Sequence, residues 1–131
     1  MIFSHGTMNY MKMYIVSIGL ILHAISCTQV SSDEAKYLLD LQKAAIYNYV
    51  AEFSCTDDGS CLTMPLGAKP CGGPWEYLVY PSSVNAAELQ HMVDDYFEAE
   101  AAYNVKYGVV SDCSIESPPD SIFCNTGGCV W

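Results

Sequence analysis

Two stretches of the chain place their apolar side chains at helical spacing, and they flank a segment that cannot be helical. In the first, Leu38, Leu39, Gln42, Ala45, Ile46, Tyr49 and Phe53 fall on one stripe, while Asp40, Lys43, Tyr47 and Glu52 face away. Ser31 and Glu34 stand at capping-box spacing, and Asp33 and Glu34 suit the positive end of a helix. The pattern predicts an amphipathic helix running to Phe53, about six turns at ~1.5 Å per residue. In the second, Leu89, Met92, Val93, Tyr96, Tyr103 and Tyr107 form the stripe. Asn85 caps it, Glu88 is placed to reach back to the cap, Val84 can staple onto Leu89, and Gly108 ends it.

The stretch between them, Cys61 to Trp75, holds three prolines and three glycines. No helix tolerates that density, so the segment reads as a rigid, crosslinked connection. Trp75 to Tyr80 then alternates as a strand, with Trp75, Tyr77 and Val79 on one face and Glu76, Leu78 and Tyr80 on the other. Gly72-Gly73-Pro74 ahead of it predicts a tight turn at positive φ. Near the end, Ser117-Pro-Pro-Asp120 is a turn, and Ile122–Cys124 and Cys129–Trp131 read as a hairpin around Asn125–Gly128. The expected fold is therefore α+β: two long amphipathic helices packed on a short antiparallel sheet made from Trp75–Tyr80 and the C-terminal hairpin. Residues 34–131 would form that single disulfide-rich domain.

Residues 11–26 carry one lysine ahead of an apolar run with small residues at Ala24 and Ser26, the layout of a secretory signal peptide. The run is short for a stable membrane span. Residues 1–10 read as an upstream extension, with Met8 or Met11 as the start, so that residues 1–26 are leader. Ala24-Ile-Ser-Cys27 resembles a bacterial lipobox, with Ala24 where leucine is usual. That resemblance implies that Cys27 is lipidated and becomes the mature N-terminus, with residues 27–33 as anchor and tether. Thr28 is not the aspartate that retains such proteins at the inner membrane, which implies the outer membrane. The plainer reading is an ordinary signal peptide releasing a secreted soluble protein.

Cysteine use fits export. Setting Cys27 aside from the seven cysteines leaves Cys55, Cys61, Cys71, Cys113, Cys124 and Cys129. This even set can form three disulfides, with fifteen possible pairings. The hairpin cysteines are expected to bond to the helical body or to Cys113. Charge narrows the partners. Fifteen acidic residues stand against five lysines and no arginine, a net charge of -10. Such a surface disfavours nucleic acid and repels anionic lipid, so membrane contact is expected through the N-terminal lipid only.

Candidate chemistry is sparse. The chain has no nucleophile elbow, phosphate-binding loop, dinucleotide fingerprint or zinc pair. Asp57-Asp58-Gly59 is a turn without the twelve-residue ligand pattern of a calcium loop. His91, Asp94 and Asp95 have ligand spacing but sit on the polar helix face, so no metal and no cofactor is expected. Glu100 lies within the apolar stripe of the second helix. A buried carboxylate must be paired or hydrogen-bonded, and with no partner acid it reads as a structural acceptor before a general acid or base. Lys69, Pro70, Gly72, Gly73, Pro74 and Trp75 form a candidate binding loop around Cys71. The Lys-Pro-Cys-Gly-Gly-Pro-Trp motif, with Ser-Asp-Cys113 and a cysteine-rich tail after it, resembles uncharacterised bacterial secreted proteins and lipoproteins. The resemblance covers most of the mature chain and implies no activity. The expectation is a non-catalytic cell-envelope lipoprotein, a structural or binding module for an envelope protein or glycan. The alternative is a protease inhibitor presenting the Lys69–Pro74 loop, although proline after lysine resists trypsin-like recognition.

Overall fold

The computed structural model describes residues 29–131, so the leader and Cys27 lie outside the described residues. Helix α1 spans Ser32–Ala51, and the Ser31 hydroxyl caps it by accepting from the Glu34 N–H at 3.2 Å. Its buried side chains are Leu39, Ile46 and Val50. The stripe is thus rotated from the expected one: Leu38 is 52% exposed, and Gln42 and Ala45 also face out. Lys43 and Tyr47, expected to point away, lean onto the following sheet instead. Lys43 Nζ lies 2.6 Å from Glu76 Oε1, and the Tyr47 hydroxyl donates to the same oxygen at 3.0 Å. The helix rests on a strand as well as on a second helix, and a lysine stem can cover apolar surface while its head meets a carboxylate.

The segment after Cys61 also differs from the expected connection. Cys61–Leu66 is strand β1, paired antiparallel with β2, Glu76–Pro81, so that Met64 faces Leu78 and Leu66 faces Glu76. Pro65 is tolerated because a two-stranded ribbon has only edge strands, where a missing N–H breaks no interior ladder. The rigid connection is shorter than expected, residues 67–75. The alternation of β2 is as expected, with Leu78 and Tyr80 buried on one side and Tyr77 and Val79 half-buried on the other.

Helix α2 spans Ala86–Tyr107. Asn85 Oδ1 accepts from the N–H groups of Ala87 and Glu88, and Gly108 closes the helix at φ 64°. Glu88 does not return to the cap; it accepts from the Tyr49 hydroxyl at 2.9 Å and ties the two helices together. Among the described residues, Ile46, Leu66, Leu78 and Leu89 are the largest fully enclosed side chains, where both helices meet one face of the β1–β2 ribbon.

The C-terminal hairpin pairs β3, Phe123–Asn125, with β4, Gly128–Val130. Thr126 and Gly127 both have positive φ, the backbone of a two-residue hairpin turn. It forms its own sheet and does not extend the β1–β2 ribbon. Disulfides hold it: Cys55–Cys124 joins it to the segment after α1, and Cys61–Cys129 joins it to the start of β1. Cys113 pairs with Cys71 and takes no part in the hairpin.

Candidate functional site

Residues 67–75 cross from β1 to β2 as a loop held by hydrogen bonds within itself and from α2. The Trp75 N–H donates to the Leu66 carbonyl at 3.0 Å and closes the base. Further out, the Lys69 N–H donates to the Gly73 carbonyl and the Gly72 N–H to the Lys69 carbonyl, each at 2.8 Å. Gly72 and Gly73 hold φ of 94° and 85°, the turn expected there. Cys71–Cys113 pins the tip.

One side of the loop is held by α2. Glu100 Oε2 accepts from the Ala68 N–H at 2.6 Å, and Asn104 Nδ2 donates to the Ala68 carbonyl at 2.6 Å. These residues, one turn apart on the helix, satisfy both polar groups of a single peptide residue, as a neighbouring strand would. Glu100 Oε1 accepts from the Tyr96 hydroxyl at 2.9 Å. Burial and the Glu100 carboxylate push the Tyr96 hydroxyl well above the usual phenol range. Gly67 makes this approach possible. At φ 87° a Cβ there would sit 2.8 Å from Glu100 Oε2 and 2.9 Å from Trp75 Cδ1.

Lys69 secures the other side. Its side chain is 3% exposed. Nζ donates to the Ser114 carbonyl and hydroxyl at 3.0 Å and to Glu116 Oε1 at 2.8 Å, with Asp112 at 3.6 Å. It also lies 5.4 Å from the centre of the Trp75 ring. The hydrogen bond to Glu116 raises its pKa, opposed by burial. Lys69, the side chain an inhibitor loop would present, is thus turned inward, and the exposed tip is Pro70–Gly73. The sequence pattern placed Glu100 on the correct helix face and missed Asn104, although Asn104 stands four residues later on that face and interrupts the apolar stripe in the same way.

A second feature lies on the outward face of β2. Tyr77 and Trp131 line two neighbouring clefts. One, about 610 Å³, is also bounded by Tyr47, Phe53, Val79 and Val130; the other, about 360 Å³, by Trp75, Glu116 and Pro119. The alternation of β2 marks Trp75, Tyr77 and Val79 as one face, but only the tertiary structure shows the hairpin standing beside that face without covering it.

The remaining candidates stay apart from both features. His91 Nδ1 contacts Asp95 at 3.1 Å, and Asp94 accepts from Gln90, all on the exposed side of α2. Asp58 accepts from the Cys124 N–H at 2.9 Å. The sulfurs of Cys55, Cys61 and Cys129 lie within 4.8 Å of one another, but each is held in a disulfide, and a metal would need thiolates. Among the described residues, no helix is long and apolar enough to cross a membrane. Comparison with protein-family models, with curated proteins and with solved structures yields no match.

Proposed function

We propose that this protein is an exported, non-catalytic binding module, held at the cell envelope by a lipid on Cys27. The observation that carries the binding reading is the commitment of the polar groups around residues 67–75. Glu100 accepts two hydrogen bonds, Asn104 holds a carbonyl and Lys69 is surrounded by acceptors. General acid–base work needs a group whose proton can be exchanged with substrate. These groups instead fix a loop, and a pre-ordered surface loses little conformational entropy on binding.

Export is supported by the three disulfides, which suit an oxidising compartment. Anchoring rests on Ala24-Ile-Ser-Cys27 in the sequence. Metabolic labelling with an alkyne fatty acid in a diderm bacterial host tests it. Wild type is expected to carry label and to sediment with outer membranes, and Cys27→Ser to lose both. Equal labelling of the variant overturns the anchor.

A further inference from the structure

The outward face of β2 is unusual for a small domain. The inner face of the β1–β2 ribbon is buried under the helices, and the outer face is aromatic as well. Trp75 and Tyr77 leave that face only half-buried, while Trp131 on the hairpin is 76% exposed. Tyr77 and Trp131 form the ridge shared by the two clefts. The hairpin wall is fixed from behind by Cys55–Cys124 and Cys61–Cys129, and the Cys55 N–H donates to the Gly127 carbonyl at 2.9 Å. The larger cleft falls within the size range of ligand sites, which pair aromatic walls with a few placed polar groups.

Charge selects among ligands. The charged side chains bordering the clefts are Glu76 and Glu116, and each already carries a lysine: Lys43 on Glu76 at 2.6 Å and Lys69 on Glu116 at 2.8 Å. Among the described residues, the clefts therefore offer no unpaired side-chain charge to an ionic partner, and the net charge of -10 repels anions. Paired carboxylates keep free lone pairs and remain oriented acceptors for hydroxyl groups. Aromatic faces accept weakly polarised C–H groups through their negative π surface. A ligand that is uncharged, with C–H faces and hydroxyl edges, matches each of these features.

We propose that the paired clefts around Tyr77 and Trp131 bind a neutral oligosaccharide. This rests on the binding-module reading but does not need the lipid anchor. The chain's two tryptophans, Trp75 and Trp131, both line the smaller cleft, so intrinsic fluorescence reports directly on occupancy.

The test uses the oxidised protein from Thr28 onward, expressed as a soluble secreted form. It is titrated with a panel of neutral oligosaccharides (β-glucans, xylans, mannans and α-glucans), with polyuronates and a proline-rich peptide as comparators. At least one neutral glycan is expected to shift tryptophan emission saturably, with Kd below ~10 mM, as loose open sites allow. Tyr77→Ala is expected to weaken that binding by about tenfold or more, the scale of losing a central aromatic contact. Trp131→Phe should retain most of the affinity and Trp131→Ala should not. Circular dichroism and intact disulfides verify that each variant is folded. The proposal is overturned by no response to any neutral glycan, by binding that Tyr77→Ala and Trp131→Ala leave unchanged, or by binding confined to polyuronate or peptide. Because Cys27 is absent from this soluble form, its outcome is separate from the labelling experiment. A peptide-only result keeps a binding module and removes the glycan.

Discussion

Glu100 shows how much a single position can depend on its surroundings. In sequence it is a carboxylate stranded on an apolar stripe; in space it completes the hydrogen bonding of Ala68 and Tyr96. Its substitution separates a positioning role from a chemical one. Glu100→Gln keeps an acceptor for the Ala68 N–H, and its new amide N–H can meet the Tyr96 oxygen, so the loss should be small. Glu100→Ala leaves two donors unpaired, at about 1–3 kcal/mol each where they are buried. Urea denaturation of both variants should place Ala well below Gln. Equal midpoints would mean that Glu100 does not hold the loop.

At the scale of elements, the loop from Gly67 to Trp75 is shaped by what lies against it. Gly67, just after β1, lies directly against Glu100 of α2 and Trp75. Gly67→Ala combines a positive φ that alanine adopts at a cost with contacts of 2.8 and 2.9 Å to Glu100 and Trp75. It is expected to lower stability by about 2 kcal/mol or more, since both causes act together. Gly72→Ala shares the positive φ but meets nothing within 4 Å, so it should cost less. Thermal melts of the pair check this order, and the reverse order would show that the Glu100–Trp75 approach is looser than described. Gly67 had no distinguishing mark in the sequence, whereas Gly72-Gly73-Pro74 announced its own turn. The capping of both helices was equally legible, because a cap acts within four residues. The partner of β2 was not. Cys61–Leu66 contains a proline and no regular alternation, and becomes a strand because β2 is there to pair with it.

For the whole molecule, alkaline pH is the informative variable. Burial and the Glu76 carboxylate push the Tyr47 hydroxyl up to about 12, and Tyr96 is raised by burial and Glu100. Lys69 is also raised, by its hydrogen bond to Glu116. In each case the folded state holds its proton more tightly than the unfolded chain. Stability from these groups is therefore fully present below their ordinary values near pH ~10, and is lost as pH rises through the folded values. Urea midpoints should be level from about pH 7 to 9 and fall steeply above about pH 10, where the unfolded chain ionises first. Tyr96→Phe should flatten part of that fall. A midpoint that rises above pH 10 would contradict the burial of these groups. The three disulfides act at the same scale. Each closes a long loop, with sequence separations of 69, 68 and 42, and restricts the unfolded chain.

The sequence by itself determined what depends on near neighbours: two capped helices, the glycine turn before Trp75, the C-terminal hairpin and the α+β class. It also supplied an even set of six cysteines for crosslinking once Cys27 is set aside. Only the tertiary structure decided what depends on distant ones. It chose one pairing of the cysteines, rotated α1 so that Lys43 and Tyr47 meet Glu76, and gave Cys61–Leu66 a partner strand. It turned Lys69 inward and left the aromatic face of β2 open beside the hairpin. The division has one physical cause. Caps and turns draw their energy from backbone groups within a few residues. Strand pairing, disulfide connectivity and the pairing of a buried charge depend on which remote segment the packed core brings alongside.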